Sequence, residues 1–315
     1  MSSRRTDRSL ASLLLAQRLV DSDAEPLAPR EFWSVVNAVG EPERLLPGST
    51  ALGNGHLFSP ELTERIAHRM AAATSLAFEL ERLEQSGLSV LSALDDGYPA
   101  ALRNRLGSTA PPILHAVGNL DLLTQGGVGV VGSRNADAAA LVVAASVARE
   151  AAARGLPVVS GGARGIDQEA MAAALDAGGN AVGVLADSLS RQVTKPPVRR
   201  AVLEGRLCLC TPYKPSAGFS VANAMGRNRL IYTLSEVALV VASDNGQGGT
   251  WEGAVEAIRG RLTDVVVWAG DGAGPGNSAL VALGGRPASS VADVLVPGEA
   301  AAPRSSGSGQ MSFGL

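Results

Sequence analysis

From Gly127 onward the chain repeats one pattern: a short run of Val, Leu and Ala, a glycine-rich loop, then a helical stretch. The runs fall at 128–131, 157–160, 181–185, 207–210, 237–242 and 265–268, and helical spacing appears near 136–154, 168–177, 198–204, 227–235 and 250–261. The runs lack the polar alternation of a half-exposed strand. Strands that are apolar on both faces and separated by helices need a sheet covered on both sides, which means parallel strands. The expected fold is therefore α/β: a doubly wound, extended Rossmann-like, mostly parallel sheet. Apolar residues make up 46% of the 315 and charged ones 18%, enough to bury such a core.

Upstream, apolar residues recur at helical spacing over 9–20, 29–39 and 59–85, with Ser59-Pro60 as a helix start and Gly87 as a stop. Residues 88–91 fit a short strand. We expect a helical N-terminal domain over 1–86, the Rossmann-like domain over 87–298 and a flexible small-residue tail over 299–315. The basic start followed by an apolar run over 10–16 resembles a leader, but Gln17 and Arg18 interrupt it, so an amphipathic first helix is expected. No apolar run reaches the roughly 20 residues of a membrane span, and a cytoplasmic protein without membrane contact is expected.

In an open parallel sheet, ligands bind beyond the carboxyl ends of the strands. Three loops there are informative: Gly132-Ser133-Arg134-Asn135, Ser160-Gly161-Gly162-Ala163-Arg164-Gly165, and the stretch ending in Gly248-Gly249-Thr250. Glycine lets backbone approach a ligand, helix N-termini present free amides, and Arg134 and Arg164 add forked donors, so the pattern suits phosphate. The net charge is −3, which excludes a global basic field; residues 128–270 nevertheless hold 14 Lys/Arg against 12 Asp/Glu. Both lysines of the chain, Lys195 and Lys214, fall in loops of this segment, and Arg227-Asn228-Arg229 is expected to open a helix. With aromatics at 3%, base-stacking platforms are scarce.

Signals for catalysis are thin. His56, His68 and His115 all precede the α/β segment, Asp167 suits a helix cap, and no catalytic residue is assigned. Cys208 and Cys210 alternate on a strand and fit packing, so no metal site is expected. Gly127-Val128-Gly129-Val130-Val131-Gly132 matches the dinucleotide fingerprint, but its first glycines precede or lie inside the strand and no acidic residue ends the second strand. No cofactor is expected.

The ordered motifs VVGSRN, SGGARGID and GRNRLIYTLS, preceded by DDGYPAALRNRL and APPILHAVGNLDLL, resemble the DNA-processing protein A (DprA/Smf) family over about 88–285. That resemblance implies a non-enzymatic, commonly dimeric protein that binds single-stranded DNA and delivers it to the RecA recombinase, notably in natural transformation. Carried over by motif, Gly132, Ser133 and Arg134 would line the DNA pocket beside Gly161, Gly162 and Arg164, with Arg227, Asn228 and Arg229 contacting phosphates. Lys195 and Lys214 join them on charge and loop position.

The chain also departs from the family. Met171 stands where the family usually has His, GFSVANAMGRNR is longer than the usual F-P-x-R-N-R, DNGQGGTWEGA replaces S-G-x-x-x-T-A, and the winged-helix domain of many members is missing from this sequence. The alternative is a nucleotide-binding or nucleotide-hydrolysing enzyme. Residues 246–253 are similar to the P-G-G-x-G-T-x-x-E motif of Lonely Guy phosphoribohydrolases, with Gly253 in place of the catalytic Glu and Glu252 one position off. The tip from Gln310 to Leu315 resembles a sliding-clamp-binding peptide.

Overall fold

A computed structural model describes residues 6–47 and 57–296. Its nine strands are β1 (Ser89–Ser92), β2 (Ile113–Gly118), β3 (Val128–Val131), β4 (Val158–Ser160), β5 (Ala181–Val184), β6 (Leu207–Thr211), β7 (Val237–Val240), β8 (Asp264–Trp268) and β9 (Arg286–Ala288). They form one sheet in the order β1-β2-β6-β5-β4-β3-β7-β8-β9. The β1–β2 and β2–β6 pairs are antiparallel and every other pair is parallel. From β3 the chain winds outward through β4, β5 and β6, then returns to place β7 on the other side of β3. This reversal puts the topological switch point between β3 and β7.

The helices are α1 (Asp7–Ala16), α2 (Pro29–Val39), α3 (Pro60–Ala71), α4 (Ala73–Gln85), α5 (Ala100–Leu106), α6 (Ala138–Ala153), α7 (Ile166–Asp176), α8 (Leu189–Gln192), α9 (Pro196–Leu203), α10 (Val221–Leu234), α11 (Gly248–Gly260), α12 (Asn277–Ala282) and α13 (Val291–Val294). Residues of α5, α10, α11 and α12 bury one face of the sheet, and those of α6, α7 and α13 the other. Strands β3, β4, β5 and β6 are buried at every position, as their unbroken apolar runs require. The N-terminal helices bury Leu13, Phe32, Ile66 and Leu80 in one cluster with Val90, Ile113, Val117 and Leu207 of the sheet.

Three expectations are corrected. The helix expected over 9–20 stops at Ala16, where the Gln17 side-chain oxygen accepts the amides of Leu19 and Val20 and turns the chain. The single helix expected over 59–85 breaks at Ala72, which lets Ile66 and Met70 of α3 and Leu76, Leu80 and Leu83 of α4 all reach one core. The helix expected to open at Arg227 begins at Val221 instead, capped by Ser220, whose hydroxyl accepts the Asn223 amide. Strands β2 and β9 carry no expectation from the sequence at all. The buried guanidinium of Arg69 also escapes a sequence reading: it donates to the carbonyls of Leu14, Gln17 and Ala24 and ties α3 to α1 and the chain after it.

His115 lies buried on β2, where burial pushes its pKa down to about 4 against backbone groups of Thr211 and Tyr213 that favour the charged form. The fold therefore holds a neutral imidazole, while the unfolded chain takes up the proton near pH 6.5. Stability is complete above about pH 6.5 and declines as the pH falls towards 4, by about 3 kcal/mol in all. Urea midpoints at pH 7 and pH 4.5 should differ less in His115→Leu than in the wild type. Equal pH dependence in the two proteins would exclude His115 as the source.

Candidate nucleic-acid interface

The loops after β3, β4 and β7 meet at the carboxyl ends of the strands, at the switch point. Two adjoining cavities open there. The larger, about 510 Å³, is lined by Gly132, Ser133 and Arg134 after β3, by Asp167 of α7, by Phe219, Arg227 and Asn228 in and before α10, and by Gly248, Gly249 and Thr250 of α11. The smaller, about 330 Å³, lies between the loops after β4 and β5 and is lined by Gly161, Gly162, Arg164, Asp187 and Gln192. Arg134, Phe219 and Arg227 border both. The guanidinium of Arg134 sits 5.1 Å from the Phe219 ring centroid, a cation–π contact that forms the partition between them.

Arg227 forms the shared floor. Only 4% of it is exposed, and its Nη2 lies 3.8 Å from Oδ2 of Asp167, itself 5% exposed. Its Nε and Nη1 have no hydrogen-bond partner among the described residues. Gly161 makes room for it: a Cβ there would stand 1.5 Å from Nη1 of Arg227. Burial lowers the Arg227 pKa and raises that of Asp167, and each charge opposes the shift of the other. Asp167 is thus no helix cap. It is a buried counter-ion in the first turn of α7, also stabilised by backbone hydrogen bonds from Gly161 and Ala163.

In that arrangement the second loop already faces the protein's own carboxylate. The Ser133 amide is occupied by the Ala242 carbonyl at 2.9 Å. By contrast, α11 starts without a side-chain cap: Gln247 makes no capping hydrogen bond. The first amides of α11, at Gly248, Gly249 and Thr250, face the larger cavity with the positive end of the helix behind them. Asn228 fixes this turn by donating to the Gly249 carbonyl at 2.9 Å. The groups that could meet an anion here are therefore the α11 N-terminus, Arg227 beneath it and Arg134 beside it.

The remaining expected residues are distributed as follows. Gly162 and Arg164 border the smaller cavity, and Arg164 reaches across the partition to Oδ1 of Asn135 at 2.7 Å. Ser160 is buried with its hydroxyl on the Val130 carbonyl. Arg229, about 200° around the helix from Arg227 at roughly 100° per residue, donates to the Thr109 carbonyl at 3.2 Å and lines neither cavity. Lys195 is exposed at the start of α9, and Lys214 adds to the hydrogen bond from Arg82 in lowering the pKa of Glu79 on α4; neither lysine lines either of the two cavities. Glu252 lines the larger cavity, whereas Gly253 is packed against Asn228 and Tyr232. The tip from Gln310 to Leu315 lies outside the described residues. No group of His, Cys, Asp and Glu suited to a metal occurs among the described residues, and none of their helices is long and apolar enough to cross a membrane.

Comparison with known proteins agrees with this architecture. A Mycobacterium tuberculosis protein bearing the DprA name is 33% identical over 205 residues, covering 60% of this chain and 52% of the relative. The chain thus spans about half the length of the curated relatives it matches first. Among solved structures, DNA processing protein A from Streptococcus pneumoniae superposes with a TM-score of 0.69 at 23% identity, covering 93% of this chain and 98% of that one. DNA processing protein A from Helicobacter pylori, a structure described for its single-stranded DNA binding mode, matches with a TM-score of 0.53 at 22% identity, covering 65% of this chain and 93% of that one. The model of DNA recombination-mediator protein A matches residues 89–296. A match over that much of the chain makes this chain a member of the DNA recombination-mediator protein A (DprA/Smf) family.

Proposed function

We propose that the protein binds single-stranded DNA across the two cavities and passes it to the RecA recombinase in the cytoplasm, acting as a homodimer. One observation carries the reading: Arg134, Arg164 and Arg227, from three separate elements, gather with the uncapped start of α11 at the switch point. Amides and guanidinium groups recognise phosphate whatever the base, which suits a protein that must take any sequence. The description of the family as recombination mediators, and the single-stranded DNA in the description of the H. pylori structure, support the choice of ligand and of RecA as recipient.

A mobility shift with single- and double-stranded oligonucleotides at two salt concentrations tests it. The expected result is preferential, sequence-independent retention of the single strand, weakening steeply with salt. Arg134→Ala should weaken binding to every sequence and flatten the log–log salt dependence by about one unit. Wild-type affinity in that variant would take Arg134 out of the interface, and failure of the wild type to retain single strands would overturn the reading.

A further inference from the structure

We infer that the larger cavity is a terminal site, built to take the phosphomonoester of a nucleoside 5′-monophosphate rather than an internal phosphodiester. The inference deepens the strand-binding reading and rests on it only for the source of the ligand. The floor is the first argument. Arg227 is 96% buried (4% exposed) with Nε and Nη1 free of hydrogen-bond partners among the described residues, while Asp167, its ion-pair partner, stands off at 3.8 Å and Asp187 also acts on it. A buried guanidinium with unpaired donors beside a cavity is suited to an anion, since buried charged donors are ordinarily satisfied. The 13-residue helix α11 adds its uncapped amides to the same floor. A phosphomonoester carries −1.5 to −2 charges and three acceptor oxygens at pH 7, against one charge and two free oxygens on a diester, so it gains more from such a floor.

The mouth is the second argument. A phosphate inside a strand must have chain leaving on both sides. Towards β4 the rim of the cavity is basic, with Arg134 and then Arg164. Towards β7 and α11 it carries Asp244 and Glu252, both exposed and neither in an ion pair among the described residues. A phosphodiester chain leaving over those carboxylates meets like charge, whereas a strand that ends on the floor leaves past Arg134 and Arg164, with Asp187 as the carboxylate on that side. The wall is the third. Phe219, Val221 and Met225 are 52%, 67% and 40% exposed, and all three line this cavity. They offer an apolar surface at the height where the sugar and base of a bound terminal nucleotide would stand above its phosphate.

Two sources supply this chemistry, a free mononucleotide and the 5′ end of a strand, and one titration separates them. Fluorescence anisotropy would compare a 3′-labelled oligonucleotide carrying a 5′-phosphate with the same oligonucleotide carrying a 5′-hydroxyl, with dTMP, thymidine and inorganic phosphate as competitors. We expect the phosphorylated strand to bind on the order of tenfold more tightly, about one extra charge-assisted hydrogen bond, and dTMP to compete where thymidine does not. Gly249→Asp, which adds a carboxylate at the α11 start, should erase the preference; circular dichroism checks that it folds. Equal affinity of the two oligonucleotides without competition by dTMP overturns the inference and leaves strand binding standing. Binding of dTMP with no binding of either oligonucleotide supports the site with the free nucleotide as its source and overturns strand binding instead.

Discussion

Replacing Asp167 by alanine is expected to destabilise the protein by about 3–5 kcal/mol, the usual cost of leaving one member of a buried ion pair without its partner. Arg227 cannot turn out to water: the β4 loop closes on it so tightly that Gly161 has no room for a side chain. Equilibrium urea denaturation measures the loss directly. Because the vacated charge is an anion site, sulfate in the buffer should raise the midpoint of Asp167→Ala more than that of the wild type, by mass action on the folded state. The double substitution Asp167→Ala/Arg227→Leu should be more stable than Asp167→Ala alone, since it removes the unpaired charge as well. A midpoint for Asp167→Ala equal to that of the wild type would show that the pair carries no such tension.

The second large effect is expected at Gly165. Its φ of +86° lies in the region that L side chains rarely adopt, and a Cβ there would come 2.5 Å from the Ser133 carbonyl oxygen and 2.9 Å from that of Arg134. These obstacles are backbone, so nothing can rotate aside. Gly165→Ala should therefore push the loop after β4 away from the loop after β3, at a cost of several kcal/mol. It should also separate Arg164 from Asn135 and misplace Arg134, reducing single-stranded DNA affinity even where the protein remains folded. Gly178→Ala is a suitable control. That glycine has a similar φ of +79° but open space around its Cβ, so it should show only the conformational strain and keep wild-type DNA affinity. Equal behaviour of the two variants would mean that the contact between the loops does not matter to the site.

The parallel centre of the sheet is legible in the sequence because strands buried on both faces leave unbroken Val/Leu runs, as in β3, β5 and β7. The outer strands are not. β9 is three residues long and contains Pro287, and β2 carries His115 in the middle of its buried run. In the site, the glycine-rich turns announce a phosphate cradle, but their amides alone do not say which of them are free. Asp167 sits only a few residues beyond Gly161 and Ala163, and its capture of that loop depends on burial that no local pattern encodes. The Asp167–Arg227 pair joins residues 60 positions apart, and its register follows from α10 starting at Val221 within GFSVANAM, a stretch with little helical patterning. Once that start is known, the roughly 100° step per residue turns Arg227 inward, Asn228 towards α11 and Arg229 away.

The most direct test of the central claim is a crystal structure of the protein with a short oligothymidylate. A phosphate is expected within hydrogen-bond distance of the Gly248–Thr250 amides, above the Arg227 guanidinium and beside Arg134. An oligonucleotide bound elsewhere on the protein, with that cradle holding only solvent, would contradict it.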